Sequence, residues 1–192
     1  MINSVKRLAV LTLPLLLLSC AVFTTKTTET EDMTFNAAKS YPVNVASYQY
    51  ASFAQDNPIV LPKGLDVNPE QAIYGYLAKR FQPSGNIGKL KAYIQSVTID
   101  YNKEESGNAV AAVLTLDEQD IYTITAEIAF EILGTQTIER DVTVLRIKRV
   151  IKQSEHLTLA EREAGQFQAV DEMLDDLDIA IRENLLRKFK VL

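Results

Sequence analysis

Residues 121–133 read IYTITAEIAFEIL, and their alternation decides the fold. Tyr122, Ile124, Ala126, Ile128, Phe130 and Ile132 share one parity, whereas Thr123, Thr125, Glu127 and Glu131 share the other. Successive strand side chains point to opposite faces, so this stretch predicts a strand with one packed face and one wet face. That division suits antiparallel neighbours, since all-parallel sheets are covered on both faces.

Outward from this strand, Gly134 and Thr135 make a turn, and TIERDVTVLRIKRVIK, residues 137–152, continues as a further strand. Its apolar parity changes midway: Ile138, Val142 and Val144 precede the change, and Leu145, Ile147 and Ile151 follow it. A bulge between Val144 and Leu145 would restore a single inward face; partial cover on both faces is the other reading. Upstream, LKAYIQSVTIDY, residues 90–101, has strand composition, with Tyr93, Val97, Ile99 and Tyr101 on one parity. Residues 102–108 read as a charged turn, AVAAVLTL at 109–116 as a possible strand, and DEQD at 117–120 as a second turn. A first strand is expected near residues 43–50, followed by a loop in which Pro58 and Pro62 oppose regular structure.

Two helices complete the pattern. Asn68 can cap the first, Pro69 suits a position that needs no amide donor, and Gln71 completes a capping box. Ile73, Leu77 and Phe81, with Tyr74 and Ala78 beside them, make its apolar face, and PSG at 83–85 is expected to stop it. Thr158 and Glu161 form a second capping box. Behind it, Phe167, Val170, Leu174, Leu177, Ile181 and Leu185 recur at helical spacing, through to residue 189. The expected fold class is α+β: a two-layer sandwich of a mainly antiparallel sheet of four or five strands, with two helices packed on one face.

The chain has 192 residues, 47% of them hydrophobic, which suits one domain with a real core. Its opening does not belong to that domain. Lys6 and Arg7 precede an apolar run of roughly a dozen residues, too short for an ordinary helical span of about 20 and interrupted by Pro14. This is the layout of an export signal. Its ending, Leu17-Leu18-Ser19-Cys20, resembles the bacterial lipobox. The resemblance implies that the Cys20 thiol receives a diacylglyceryl group, that the signal is cut before it, and that the new amino terminus is acylated. Several acyl chains are needed because each buried methylene contributes only about 0.8 kcal/mol and one chain holds marginally. Ala21 follows the cysteine, and the lack of aspartate there resembles outer-membrane sorting. The expected organisation is a signal at 1–19, a lipidated polar tether at 20–40 and a single domain at 41–192.

Removing Lys6 and Arg7 with the signal takes the formal charge from -5 to -7. An acidic body argues against a nucleic-acid partner. A single cysteine excludes an internal disulfide and a cysteine-rich metal site. His156 is the only histidine and reads as an exposed linker residue, so a classical hydrolytic triad is not expected. GKL at 88–90 lacks the glycine pattern of a phosphate loop. Asp171, Glu172, Asp175, Asp176 and Asp178 read as a solvated helix face, with neither a calcium-loop nor a Glu-x-x-His pattern, and no metal or cofactor is expected.

Against this acidic background Arg140, Arg146, Lys148, Arg149 and Lys152 stand out. If no bulge intervenes, Arg140, Arg146 and Lys148 share a strand face and form a positive strip suited to anionic lipid headgroups or an acidic partner; a charged wet face is the plainer reading. Tyr41, Tyr48, Tyr50, Tyr93, Tyr101 and Tyr122 supply a second candidate surface.

In element order and in KLKAYIQSVTIDY (89–101), IYTITAEIAFEI (121–132) and QAVDEMLDDLDIAIRENLLRKF (168–189), the chain resembles small envelope lipoproteins of the lipopolysaccharide-assembly and ABC-transport auxiliary groups. The resemblance implies an outer-membrane-tethered periplasmic accessory that binds a membrane protein, a transport complex or lipid, and performs no covalent chemistry.

Overall fold

In the computed structural model, which describes residues 40–53, 59–106 and 117–186, the alternating stretch lies within the longest-paired strand of the sheet. The strands are β1 (Tyr41–Val43), β2 (Ser47–Ser52), β3 (Phe81–Pro83), β4 (Lys89–Ser106), β5 (Asp117–Leu133) and β6 (Arg140–Ser154). The helices are α1 (Pro69–Arg80) and α2 (Leu159–Ala180), the latter continued by a π-helical segment, Ile181–Leu186. The main sheet has the order β2-β4-β5-β6, and β1 pairs with β3 in a second small sheet. All six predicted inward residues of β5, Tyr122, Ile124, Ala126, Ile128, Phe130 and Ile132, are buried, at no more than 1% exposure.

β4, β5 and β6 are antiparallel, whereas β2 runs parallel to β4. A parallel pair requires a crossover, and α1 supplies it. Both helices lie on the inward face. From α1, Ala72, Ile73, Tyr76 and Leu77 enter the core, and from α2 and its extension, Val170, Met173, Leu174, Leu177, Ile181 and Leu185. The α+β two-layer arrangement expected from the sequence is therefore the one observed.

Asn68 caps α1 as expected, but the structure shows only its side chain accepting and not the return bond from Gln71 that a capping box requires; the box at α2 is complete. Asn68 Oδ1 accepts from the Glu70 and Gln71 amides at 3.0 and 3.2 Å. At α2 the Thr158 amide donates to Glu161 Oε2 at 2.8 Å, and the Glu161 amide donates to Thr158 Oγ1 at 3.3 Å.

Several boundaries differ from expectation. The strand expected at 43–50 is two strands, β1 and β2, separated by a bend at 44–46. Gly85 lies so close to this bend that a Cβ there would sit 2.6 Å from the Asn44 carbonyl carbon. α1 ends at Arg80 rather than at PSG, because Phe81 is extended (φ -115°, ψ 131°) and opens β3. Phe81 still reaches the core, meeting the Phe130 ring at 5.9 Å.

The charged segments expected as turns at 102–108 and 117–120 belong in part to paired strands, with Lys103 opposite Asp120 and Glu104 opposite Gln119. Cross-strand contacts support them: Tyr101 donates its hydroxyl to Asp120 Oδ1 at 2.8 Å, and Lys103 pairs with Glu118. AVAAVLTL, 109–116, lies outside the described residues.

No bulge occurs at Val144. The β5–β6 ladder runs unbroken from Gln119 opposite Ser154 to Leu133 opposite Arg140. The odd residues of β6 point inward throughout, and Val142 and Val144 simply occupy the outer face, 45% and 51% exposed. The irregularity lies in β4 instead, between Ile94 and Ser96. One extra residue reverses the parity, so Tyr93 faces outward while Val97 and Ile99 face the core.

Candidate functional site

The outer, helix-free face of the sheet carries the candidate residues that the sequence singled out. Because no bulge interrupts β6, Arg140, Arg146, Lys148 and Lys152 share that face and are exposed. Arg149 has the opposite parity and reaches the helix layer, where it pairs with Glu172 and, at 3.3 Å, with Asp176. Two of the outer cations are engaged by carboxylates of β5. Arg140 Nε donates to Glu131 Oε1 at 2.7 Å, with Lys91 3.4 Å away on the other side, and Arg146 Nε donates to Glu127 Oε1 at 2.8 Å. Burial alone would raise the Glu131 pKa, but the hydrogen bonds from Arg140 and Lys91 outweigh it and hold the carboxyl below its usual range. The two arginines stay in solvent, 68% and 71% exposed, and pairs with so solvated a partner contribute about 0–1 kcal/mol each, so they order the face more than they stabilise it. Cys20 lies outside the described residues.

Across the same face runs an apolar row set by the register. Ala51 of β2 lies opposite Tyr93 of β4, Tyr93 opposite Ala129 of β5, and Ala129 opposite Val144 of β6. Phe53, 61% exposed, stacks on Tyr93 with ring centres 5.4 Å apart and planes 14° from parallel.

At the β2 edge this row opens into a cleft of about 500 Å³ lined by Gln49, Tyr50, Ala51, Tyr74 and Tyr93. Tyr50 meets Tyr74 edge to face at 5.1 Å. β2, SYQYAS, contains no charged residue, whereas the opposite edge strand β6 carries charges along its length. Charge on an edge discourages pairing with another chain, and an uncharged edge lacks that protection. Aromatic walls with one amide suit an uncharged ligand or an extended peptide. Of the tyrosines expected to form a surface, Tyr50 and Tyr93 line this cleft, whereas Tyr122 is fully buried and donates to the Lys63 carbonyl at 2.9 Å.

A buried polar cluster was not anticipated. By its place in the sequence Asp178 belongs to the acidic face of the last helix expected to be solvated, yet its carboxylate pairs with Arg80 of α1 and accepts from Tyr76 at 2.5 Å and from Tyr41 at 2.9 Å. The Arg80 guanidinium also lies 4.0 Å over the Tyr41 ring. Burial first, then the bond to Asp178, raises both phenol pKa values. The signal was in the spacing: Asp178 follows Leu174 by four and precedes Ile181 by three, which puts it at the margin of the apolar stripe. The cluster joins β1, α1 and α2, and its groups serve one another.

His156 is exposed, and its backbone amide donates to Ser154 Oγ at 3.3 Å. Among the described residues there is no group of three or more His, Cys, Asp or Glu side chains placed to hold a metal, and no helix long and apolar enough to cross a membrane.

No protein-family model matches the chain and no curated protein is similar to it at a significant level. Among solved structures it is similar to a minor lipoprotein from Acinetobacter baumannii, with 12% identity over 74% of this chain and 95% of that one and a TM-score of 0.37. It is similar to the rare lipoprotein B from Shewanella oneidensis, with 9% identity over 71% and 97% of the two chains and a TM-score of 0.31. It is also similar to a neuraminyllactose-binding hemagglutinin homolog from Helicobacter pylori, with 12% identity over 78% and 88% and a TM-score of 0.41.

Proposed function

We propose that the chain is an envelope lipoprotein, acylated at Cys20 and held at the outer membrane facing the periplasm. There it acts by binding, as an accessory in envelope lipid transport or outer-membrane assembly, and carries out no covalent chemistry. The observation that carries this reading is the order Lys6-Arg7, apolar run, Leu17-Leu18-Ser19-Cys20, followed by a polar stretch before the first strand. The partner is an envelope membrane protein or transport complex, engaged through the β2 edge. Mild crosslinking of the protein at native expression, followed by purification from membranes, is expected to recover a membrane protein. Recovery of the lone chain rejects the accessory role.

The cleft favours a second reading, a binding module for lipid or another small ligand, because Gln49, Tyr50, Tyr74 and Tyr93 converge on one concavity. Native mass measurement of the gently extracted protein separates the two. A small molecule that remains bound to the wild type and is lost from Tyr50→Ala supports the ligand module.

A further inference from the structure

The anchor leaves open which side of the body faces the bilayer, and the charge distribution answers it. Twenty residues separate Cys20 from Tyr41. Fully extended they span at most ~70 Å, enough for any face of the domain to reach the surface that holds the acyl chains. The exposed side of α2 carries Asp171, Asp175 and Asp176, which an anionic surface repels. On the helix-free face the balance reverses. By register this face carries the cations Lys89, Lys91, Arg140, Arg146, Lys148 and Lys152 against the carboxylates Asp100, Glu104, Glu127 and Glu131, a net charge of +2, and the acids Asp100 and Glu104 lie towards the end of the sheet away from the apolar row. Lys148 and Lys152 point outward on the same strand face. Between these charges stand exposed Phe53, Val142 and Val144, at 61%, 45% and 51%. Cations interleaved with aromatic and aliphatic side chains on one surface is the composition of an interfacial membrane contact.

We infer that the helix-free sheet face docks onto the anionic phospholipid surface of the membrane that carries the protein's own anchor, laying Phe53, Val142 and Val144 against it and leaving the helix layer outward. This rests on the lipoprotein reading above and adds an orientation to it. The β2 edge then lies at the rim of the contact, open to a partner approaching along the membrane.

The test uses the full chain from its host, reconstituted into vesicles of phosphatidylcholine alone or mixed with phosphatidylglycerol. An environment-sensitive thiol dye is placed at Val144→Cys and, as a control on the helix layer, at Ile179→Cys. The dye at 144 is expected to report an apolar environment in the mixed vesicles only, and to lose that signal in high salt. Lys148→Glu with Lys152→Glu is expected to lower the preference for mixed vesicles by about tenfold. The dye at 179 is expected to stay silent. A silent dye at 144 overturns the inference, as does a signal insensitive to phosphatidylglycerol and salt, or one that appears only as the protein-to-lipid ratio rises. The mass of the Cys20 peptide from the same preparations reports acylation separately, so loss of the anchor and loss of the face contact are distinguishable.

Discussion

Asp178 shows how much a single side chain decides in this molecule. It sits in a helix rich in acids, yet it accepts hydrogen bonds from Tyr41 and Tyr76 and pairs with Arg80, whose side chain is 6% exposed. Removing one member of a buried ion pair leaves the other charge uncompensated, at a cost of about 3 kcal/mol or more. Asp178→Ala is therefore expected to lower the denaturant midpoint far more than Asp175→Ala, its exposed neighbour; equal effects would show that the cluster adds nothing to stability. Tyr122 gives a pH prediction. Burial first, with Asp120 adding to it, pushes its phenol from 10.0 up to about 12. The fold thus favours the protonated phenol: its contribution is complete below pH 10 and disappears as pH rises through about 12. Tyrosinate absorbance and circular dichroism followed through that window are expected to change together, and full ionisation of the tyrosines in a native spectrum would contradict the burial.

At the scale of elements, β5 is the strand on which the others are registered. Ile128 lies opposite Ile94 on one side and Leu145 on the other, and is completely buried. Ile128→Asp would place an unpaired carboxylate among them, and loss of folding is expected, with a penalty of about 4 kcal/mol or more. A native thermal transition in that variant would reject the inward face. For α2, both hydrogen bonds of the capping box are formed, so Thr158→Ala is expected to cost about 1 kcal/mol without changing the fold. Chemical denaturation of the two proteins measures the difference. The caps and the alternation of β5 were legible because each is a local pattern, complete within a few residues. The bulge was not: β6 changes apolar parity and β4 carries the extra residue. Val142 and Val144 mimic a bulge in the sequence because exposed and buried valine look alike until the neighbouring layer is known.

For the whole molecule, the functional reading turns on Cys20. Cys20→Ala is expected to abolish acylation and release the body from membranes while leaving its core unaffected, which labelled-lipid incorporation and fractionation will check. Lipid found on that variant would refute the assignment. Within the body, the polarity of the two layers is the basis of the orientation inferred above. Acidic helix surface and basic sheet surface arise from residues far apart in the chain, and folding sorts them onto opposite sides.

The amino-acid sequence alone determined that β5 has one dry face, that two capped helices accompany the sheet, and that a short basic and apolar stretch precedes a lone cysteine. Each of these depends on residues close together along the chain, where spacing and local hydrogen bonding suffice. Tertiary structure decided the rest: that β2 joins the sheet parallel to β4, that Arg149 turns to the helices while Arg146 and Lys148 stay outside, and that Asp178 meets Arg80. Those outcomes depend on which strand lies beside which and on what covers each face, and proximity in space between distant residues is not written in local periodicity.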